Sequence, residues 1–234
     1  MPVGFIGLGI MGASMASNLQ KAGFKLVVHD LQRQNASTHL AAGAQWAGTP
    51  KAVAEQCEVV FTSLHGPPEF EAVATGEDGL ADGFKKGSVV FDLTTNSPSL
   101  IRRLHQAYAE QGIHLLDAPV SGGPAGAKSG RLAIWVGGDK AVFDKYRKEL
   151  DAIGDAARYI GPIGAGSVAK LVHNCAGYAI QTALAEVFSW ASRAASSRWH
   201  CGRPCAAARR DARARSTGWA TASSSTPTTR RALP

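Results

Sequence analysis

The sequence predicts an α/β fold built on a doubly wound, mainly parallel sheet. Over residues 1–189, short apolar runs typical of buried strands alternate with longer segments of helical periodicity. The first apolar run, which begins at Pro2, leads through a glycine-rich turn directly into a helix. Polar residues and glycines follow several later strands, at the edge where open parallel sheets bind ligands.

The elements follow one another as repeated strand–helix–strand units. A proline at a first helical turn marks a helix that starts at residues 49–50. The strands predicted after the first are residues 25–29, 58–64, 88–92, 113–117 and 132–136. The other predicted helices are residues 11–22, 34–42, 98–111 and a long one that follows residue 161 and reaches 188 or beyond.

The turn after the first strand has the pattern G-x-G-x-x-G and predicts a dinucleotide-binding site. Gly7 permits the tight turn, Gly9 leaves room for a pyrophosphate, and Gly12 lets the helix pack closely on the strand. The phosphates are expected at the helix N-terminus, where unpaired N–H groups favour an anion. The candidate cofactor-binding residues of this turn are Gly7, Leu8, Gly9, Ile10, Met11 and Gly12.

The second predicted strand ends in an acid, Asp30, about 20 residues past the turn. A carboxylate there hydrogen-bonds the adenosine ribose hydroxyls and repels a 2′-phosphate, which favours NAD over NADP. Arg33 follows closely and could pair with a phosphate, so NADP remains the alternative.

Two loops that follow predicted strands carry further candidates. Thr95 follows strand 88–92 and could contact the nicotinamide end. Ser121, Gly122 and Gly123 follow strand 113–117 and offer a hydroxyl and N–H groups to a substrate carboxylate. The alternative is that these loops contain only turn and capping residues.

The long last helix carries Lys170 and Asn174, which are four residues apart and share one face. This spacing lets an ammonium and an amide converge on one small substrate, with the lysine moving a proton while the cofactor moves a hydride. The alternative is an ordinary solvated helix lysine.

The net charge of +7 belongs to the end of the chain. Residues 1–189 hold 16 basic and 17 acidic residues, whereas residues 190–234 hold nine arginines and one acid. The arginine-rich composition, without lysine after Lys170, is typical of GC-rich DNA translated out of frame. We therefore expect residues 190–234 to be a disordered, out-of-frame basic tail; a genuine disordered tail is the alternative.

Neither nucleic-acid binding nor a metal site is expected. The tail lacks interleaved aromatic residues that would stack on bases, and His200, Cys201 and Cys205 lie in an arginine-rich segment without a metal-site pattern. The four cysteines indicate no disulfide framework. Because the sequence shows neither a secretory signal nor a long apolar run, a cytoplasmic protein is expected.

Four motifs together resemble the β-hydroxyacid dehydrogenase family, especially its 3-hydroxyisobutyrate dehydrogenase-like members. The resemblance covers residues 1–189 and is specific, because the motifs occur in family order. They are GFIGLGIMG at 4–12, DLTTNSP at 92–98, DAPVSGG at 117–123 and GAGSVAKLVHN at 164–174.

The resemblance implies roles for individual residues. Lys170 would be the catalytic acid/base and Asn174 a substrate-orienting amide. Ser121, Gly122 and Gly123 would bind the substrate carboxylate. The implied cofactor contacts are Leu64 and Pro67, with Thr95 on the nicotinamide side. His173 departs from the asparagine that many members carry.

The resemblance also implies a domain organisation. Residues 1–160 would form a Rossmann NAD(P)-binding domain, and residues 161–189 would form an interdomain helix that begins a truncated all-helical domain. Intact family members are homo-oligomers, which the missing helical domain puts in doubt for this chain.

The implied reaction is NAD(P)-dependent oxidation of a small 3-hydroxy acid to its semialdehyde. A tartronate-semialdehyde reductase and a truncated, non-catalytic NAD-binding remnant are the alternatives.

Overall fold

A computed structural model describes the backbone of residues 1–193 and the side chains of residues 1–190 except Ala156. This part of the chain forms a nine-stranded sheet with helices packed on both faces, which confirms the predicted α/β class. The strands are β1 Val3–Ile6, β2 Leu26–His29, β3 Gln45–Trp46, β4 Val59–Thr62, β5 Val89–Asp92, β6 His114–Asp117, β7 Val120–Ser121, β8 Ala133–Gly137 and β9 Ala156–Gly161.

Helices connect most of these strands, and a long helix follows the last strand. A short 3₁₀ turn, Arg33–Ala36, precedes the second of them. The helices are α1 Ile10–Lys21, α2 Ser37–Ala41, α3 Pro50–Ala54, α4 Pro67–Thr75, α5 Leu80–Gly83, α6 Pro98–Glu110, α7 Gly123–Ser129, α8 Lys140–Lys145, α9 Arg147–Ile153 and α10 Ala165–Arg193.

The first six strands are parallel and lie in the order β3-β2-β1-β4-β5-β6. The order runs outward from β1 in both directions, which is the doubly wound arrangement. β8 then runs antiparallel to β6 and β7, and β9 runs parallel to β8. The sheet is therefore mainly parallel, as predicted, with strands of opposite direction at one edge.

The core consists of two apolar layers, one on each face of the sheet. Alternate residues of the central strands enter opposite layers, because successive side chains of a strand point to opposite faces. Phe5, Phe61 and Phe91 are in register on neighbouring strands and enter one layer, packing with α1, α7, α8 and α9. Val60 and Val90 enter the other layer with residues of α3 to α6.

The structure differs from the sequence-based prediction mainly in short elements. Each predicted strand is present with bounds that differ by one or two residues, but β3, β7 and β9 were not predicted; β9 contains six residues, whereas β3 and β7 contain only two each. The helix predicted over 34–42 is divided into the 3₁₀ turn and α2. Elements of so few residues lack a full period of apolar spacing.

The chain divides into two compact units, Met1–Leu171 and Val172–Pro234. The described part of the second unit is the continuation of α10 to Arg193. Large apolar side chains are exposed along it, including Val172, Tyr178 and Trp190. The helix thus extends past the predicted start of the tail at 190, and the remainder of that tail lies outside the described residues.

No helix in the described part of the chain is long and apolar enough to cross a membrane. Within the same residues, no cluster of three or more histidine, cysteine or acidic side chains could hold a metal ion. Cys57 and Cys175 are free cysteines, whereas Cys201 and Cys205 lie outside the described residues.

We expect Phe91→Ala to lower the free energy of unfolding by about 3–5 kcal/mol, measured by urea denaturation. Phe91 is fully buried, stacks on Phe61 at 5.1 Å between ring centroids and meets Tyr146 edge-on at 5.9 Å. The control Leu31→Ala removes a side chain that is 96% exposed and should change stability by less than about 0.5 kcal/mol. Equal effects of the two substitutions would contradict the packing described here.

Candidate active site

The candidate site lies at the sheet edge formed by the carboxyl ends of the parallel strands. The last residues of β4, β5 and β6, which are Thr62, Asp92 and Asp117, are in register with one another. Their side chains are buried. Gly137, the last residue of β8, pairs with Asp117 and extends the row. The loops that leave β4, β5 and β6 therefore start from one line across the sheet.

The glycine-rich turn between β1 and α1 is sterically restricted at two positions and open at a third. Gly7 has a φ of +91°, and a side chain there would collide with the carbonyl oxygen of Ser63. A side chain at Gly12 would collide with the carbonyl oxygen of Gly7. The position of a Cβ on Gly9 has no atom within 4 Å and faces open space.

The start of α1 fits a dinucleotide pyrophosphate. No side chain caps the first turn of this helix, which begins at Ile10. Gly9 and Ile10 are exposed, so ligand phosphates can approach the backbone. Uncapped N–H groups at a helix start carry a partial positive charge that favours an anion. Leu8 is buried and Met11 half-buried on either side of this opening.

Asp30 is tied to the glycine-rich turn by its side chain. Its Oδ2 accepts a hydrogen bond from the Leu8 N–H at 2.6 Å. Its Oδ1 accepts from the Gln32 N–H at 2.8 Å and from Asn35 Nδ2 at 3.1 Å. A carboxylate oxygen can accept more than one bond, so Asp30 is oriented by these donors and can still receive ribose hydroxyls.

Arg33 lies in the same loop as Asp30, and its guanidinium sits 5.6 Å from the centre of the Trp46 ring. Trp46 in turn lies 5.5 Å from His29, between ring centroids. The cation–π contact orients a cationic group near the carboxylate that would meet the adenosine ribose. The structure therefore contains both an acid that favours NAD, Asp30, and a cation that favours NADP, Arg33.

Leu64 links three parts of the site. Its N–H donates to Thr94 Oγ1 at 3.1 Å, which joins the loop after β4 to the loop after β5. Its Cδ2 would lie 3.0 Å from a Cβ on Gly7. Pro67 is the first residue of α4 and half-buried, and Thr95 is exposed. Leu64 and Thr94 thus connect the glycine-rich turn with the loop that carries Thr95.

The loop after β5 is organised by Asp92, a buried carboxylate that is not among the candidate site residues predicted from the sequence. Its Oδ1 accepts from Thr62 Oγ1 at 2.9 Å and from the Thr94 N–H at 3.1 Å, and its Oδ2 accepts from Asn96 Nδ2 at 3.0 Å. Burial raises the pKa of Asp92 to about 6, although these hydrogen bonds oppose the shift. The one sequence feature that indicates a role for Asp92 is its position as an acid at the end of the apolar strand 88–92.

The segment Ser121–Gly123 leads from β7 into α7. Gly122 and Gly123 have φ values of +137° and +63°, which favour glycine, and both are exposed. Ser121 is half-buried and pairs with β8. Asn18 of α1 donates to the Ala127 carbonyl of α7 at 2.7 Å, so this segment is held beside the helix that follows the glycine-rich turn.

Lys170 lies near the start of α10, within the first compact unit, and is half-buried. Burial lowers the pKa of its ammonium group below the ordinary lysine value. A lowered pKa increases the fraction of neutral amine, which is the form that accepts a proton. Asn174 follows one turn later on α10, is half-buried and belongs to the second unit.

The first turn of α10 is bound to the end of β6. Asp117 Oδ1 accepts from the Gly164 N–H at 2.8 Å, and its Oδ2 accepts from the Ser167 N–H at 2.6 Å. Asp117, like Asp92, is not among the site residues predicted from the sequence. Only the fold shows that Gly164 and Ser167, which follow Asp117 by 47 and 50 residues, lie next to its carboxylate.

These features define a dinucleotide-binding protein of the Rossmann class. The feature that identifies this class is the glycine-rich turn, which lies between an uncapped helix start and the Asp30 carboxylate.

The chain belongs to the β-hydroxyacid dehydrogenase family. Residues 2–161 match the family model described as the NAD binding domain of 6-phosphogluconate dehydrogenase. A solved structure of 3-hydroxyisobutyrate dehydrogenase from Salmonella typhimurium superposes with a TM-score of 0.75 at 31% identity, covering 84% of this chain and 69% of that one.

Two curated relatives are similar in sequence. The chain is 41% identical to 2-(hydroxymethyl)glutarate dehydrogenase of Eubacterium barkeri over 74% of its own length and 57% of that protein. It is 36% identical to 2-hydroxy-3-oxopropionate reductase of Escherichia coli over 83% of its own length and 66% of that protein. The chain thus spans 57% to 66% of the length of these relatives.

We expect Asp30→Asn to shift the cofactor preference toward NADP by about tenfold, which corresponds to about 1.4 kcal/mol. The amide keeps an acceptor for the Leu8 N–H but removes the charge that repels a 2′-phosphate. The measurement compares dissociation constants of NADH and NADPH by fluorescence titration. Asp139→Asn, which alters an exposed capping carboxylate on α8, should leave the ratio unchanged. An unaltered ratio in Asp30→Asn would refute this role.

We expect Asp92 to make folding less favourable as pH rises from about 4 to about 7. Its folded pKa of about 6 exceeds the ordinary value of 3.8, so the folded state binds the extra proton. The stabilisation is complete below the ordinary pKa and is lost as pH rises through about 6. A shift of about two pH units corresponds to on the order of 3 kcal/mol.

Urea unfolding of the parent chain and Asp92→Asn across this pH range measures the effect. The stability difference, parent minus variant, should fall as pH rises. Asp82→Asn removes an exposed acid and serves as the control. A difference between the parent and Asp92→Asn that stays constant with pH would show that Asp92 titrates normally.

Proposed function

We propose that the chain is a nicotinamide-dependent oxidoreductase that interconverts a small 3-hydroxy acid and its semialdehyde. The observation that carries the proposal is Lys170, a half-buried lysine of lowered pKa on a helix whose first turn is bound to the carboxyl edge of the sheet. The family supports the same chemistry, since its members named above are dehydrogenases and a reductase.

The substrate class is inferred from what the relatives' names share. 2-(Hydroxymethyl)glutarate and 3-hydroxyisobutyrate each carry a primary alcohol on the carbon next to the one that bears a carboxylate. Reduction of 2-hydroxy-3-oxopropionate gives an alcohol with the same relation to its carboxylate. The compounds differ in the substituent on the carbon between these groups. The proposed substrate class is therefore defined by the hydroxymethyl group and the carboxylate on that carbon, with any substituent.

In the oxidation direction, the neutral amine of Lys170 accepts the proton of the substrate hydroxyl. An oxidised nicotinamide cofactor, which the glycine-rich turn would hold, would supply the acceptor for the hydride from the carbon that carries this hydroxyl. Ser121 and the N–H groups of Gly122 and Gly123 bind the substrate carboxylate, and Asn174 orients the substrate through its amide. Burial of Lys170 assists the proton transfer because it favours the neutral form of the amine at a lower pH.

The cofactor is held by the glycine-rich turn, Asp30, Leu64, Pro67 and Thr95. We propose NAD as the preferred form, because the Asp30 carboxylate is oriented into the turn by the Leu8 N–H. NADP is the alternative and would use Arg33, which the Trp46 ring orients.

A tartronate-semialdehyde reductase is the second candidate. It is favoured by the 36% identity with the Escherichia coli reductase. Both candidates use the same lysine and cofactor site and differ in the substituent that they accept, so parallel assays with 3-hydroxyisobutyrate and glycerate separate them.

We expect turnover of a 3-hydroxy acid to depend on Lys170. Lys170→Ala should lower kcat/KM by about 10²–10⁴, the usual contribution of a positioned acid or base. Lys170→Arg should be equally inactive in oxidation, because a guanidinium does not release its proton. The assay follows NADH formation with 3-hydroxyisobutyrate, glycerate and 2-(hydroxymethyl)glutarate as a function of pH, and the rate should rise as Lys170 deprotonates.

Lys148→Ala is the matched control, because this lysine is exposed on α9. Full activity in Lys170→Ala would exclude the lysine as acid/base. Binding of NADH without turnover of any of these acids would instead support the non-catalytic alternative.

A further inference from the structure

Asp117 is the contact between the sheet and the helix that carries Lys170. The side chain is 1% exposed and stands at the end of β6. Each of its carboxylate oxygens accepts one backbone N–H from the start of α10, from Gly164 at 2.8 Å and from Ser167 at 2.6 Å. Two acceptors on one rigid group fix both the position and the direction of the first helical turn.

Glycines on both sides of the carboxylate make this contact close. A Cβ at Gly137 would lie 2.5 Å from Asp117 Oδ1 and 2.8 Å from the Pro162 carbonyl oxygen. A Cβ at Gly166 would lie 3.0 Å from Asp117 Oδ2 and 2.8 Å from the Asp117 carbonyl oxygen, and would collide with the Trp135 carbonyl oxygen. Helix and strand therefore meet with no room for a methyl group.

The position of Lys170 follows from this contact. It is three residues after Ser167 and four after Gly166, so it lies on the same face of the helix about one turn along. One turn of an α-helix rises about 5.4 Å, so the backbone of Lys170 lies within about one turn of the residues that Asp117 holds. A helix that started one residue later would turn Lys170 by about 100° around the axis.

The charge of the carboxylate suits this task. An anion at a helix start is favoured by the helix dipole, and hydrogen bonds to a charged acceptor are stronger than those between neutral groups. Removal of the acceptor would leave buried N–H groups without a partner, which is unfavourable. The helix would then gain by moving away from the end of β6 toward water.

We propose that Asp117 is a positioning residue for Lys170: by binding the Gly164 and Ser167 N–H groups it holds the first turn of α10, and with it the half-buried lysine, at the carboxyl edge of the sheet. The inference rests on the proposed role of Lys170. The inference gives Asp117, the first residue of the segment 117–123, a role distinct from the proposed substrate contacts of Ser121, Gly122 and Gly123.

The test measures the pKa of Lys170 directly and needs no turnover. The lysines are dimethylated with ¹³C-formaldehyde and a mild reductant, and their methyl resonances are followed by NMR as pH is raised. Lys170→Arg identifies the resonance of Lys170 by its absence. The variants are Asp117→Asn, which replaces one acceptor oxygen by an NH₂ group, and Gly166→Ala, which pushes the helix away without changing any charge.

Two matched controls distinguish a displaced Lys170 from a general loss of stability. Asp139→Asn changes a carboxylate that caps another helix, α8, through the Ala141 and Val142 N–H groups. Gly177→Ala adds a methyl group to α10 at a glycine whose Cβ position has no atom within 4 Å. Neither control should move the Lys170 resonance titration.

Both test variants should raise the pKa of Lys170 toward that of the exposed lysines, because the displaced lysine becomes hydrated. The direction of the change in Asp117→Asn is diagnostic. Loss of a negative charge alone would favour the neutral amine and lower the pKa of Lys170. A lower pKa in Asp117→Asn, or an unchanged pKa in both folded variants, would overturn the proposal.

Hydrogen exchange in the unmodified chain gives a reading that does not depend on whether a variant folds. The Gly164 and Ser167 amide protons should exchange as slowly as amides of the central strands. Exchange as fast as that of exposed amides would also overturn the proposal. Loss of turnover in Lys170→Ala bears only on the proposed function, so the two inferences fail separately.

Discussion

The structure depends on two carboxylates that end neighbouring strands and are both removed from water. A buried carboxylate is unfavourable unless donors surround it, and at the ends of β5 and β6 those donors come from the chain that follows. Asp92 receives donors from its own loop and from Thr62, and so shapes the loop with Thr94 and Thr95. Asp117 receives its donors from α10. One acid thus orders the loop that carries Thr95, and the other orders the helix that carries Lys170.

Much of the fold follows from local patterns in the sequence. The apolar runs of the central strands predict β1, β2, β4, β5, β6 and β8, because each is long enough to show buried character without help from its neighbours. The glycine-rich turn predicts its own geometry, since Gly7 and Gly12 are positions where any side chain would collide with backbone. Asp30 was predicted from its distance to that turn, and the bond from the Leu8 N–H to its carboxylate shows the two in contact.

The rest could not be predicted from the sequence because it depends on residues far apart in the chain. Asp117 looks like any acid at a strand end until α10 returns to it, 47 residues later. The raised pKa of Asp92 arises from burial, and the loop that follows Asp92 is bound to Leu64, about 30 residues earlier in the chain, through Thr94. The lowered pKa of Lys170 likewise arises from burial, which the sequence does not show. Local spacing suggested its role but carried no information about its surroundings.

The reversed direction of β8 and β9 determines where the last helix can begin. Because β9 runs alongside β8, its end at Gly161 returns to Gly137, the same residue that pairs with Asp117. The connection through α8 and α9 leaves β8 at Gly137 and enters β9 at Ala156, which pairs with Ala133 at the other end of β8. Because α8 and α9 contribute buried side chains such as Phe143 and Leu150 to the core, the path of the chain into β9 is fixed by packing as well as by strand pairing. A substitution that displaced these helices would therefore reach the start of α10 through β9.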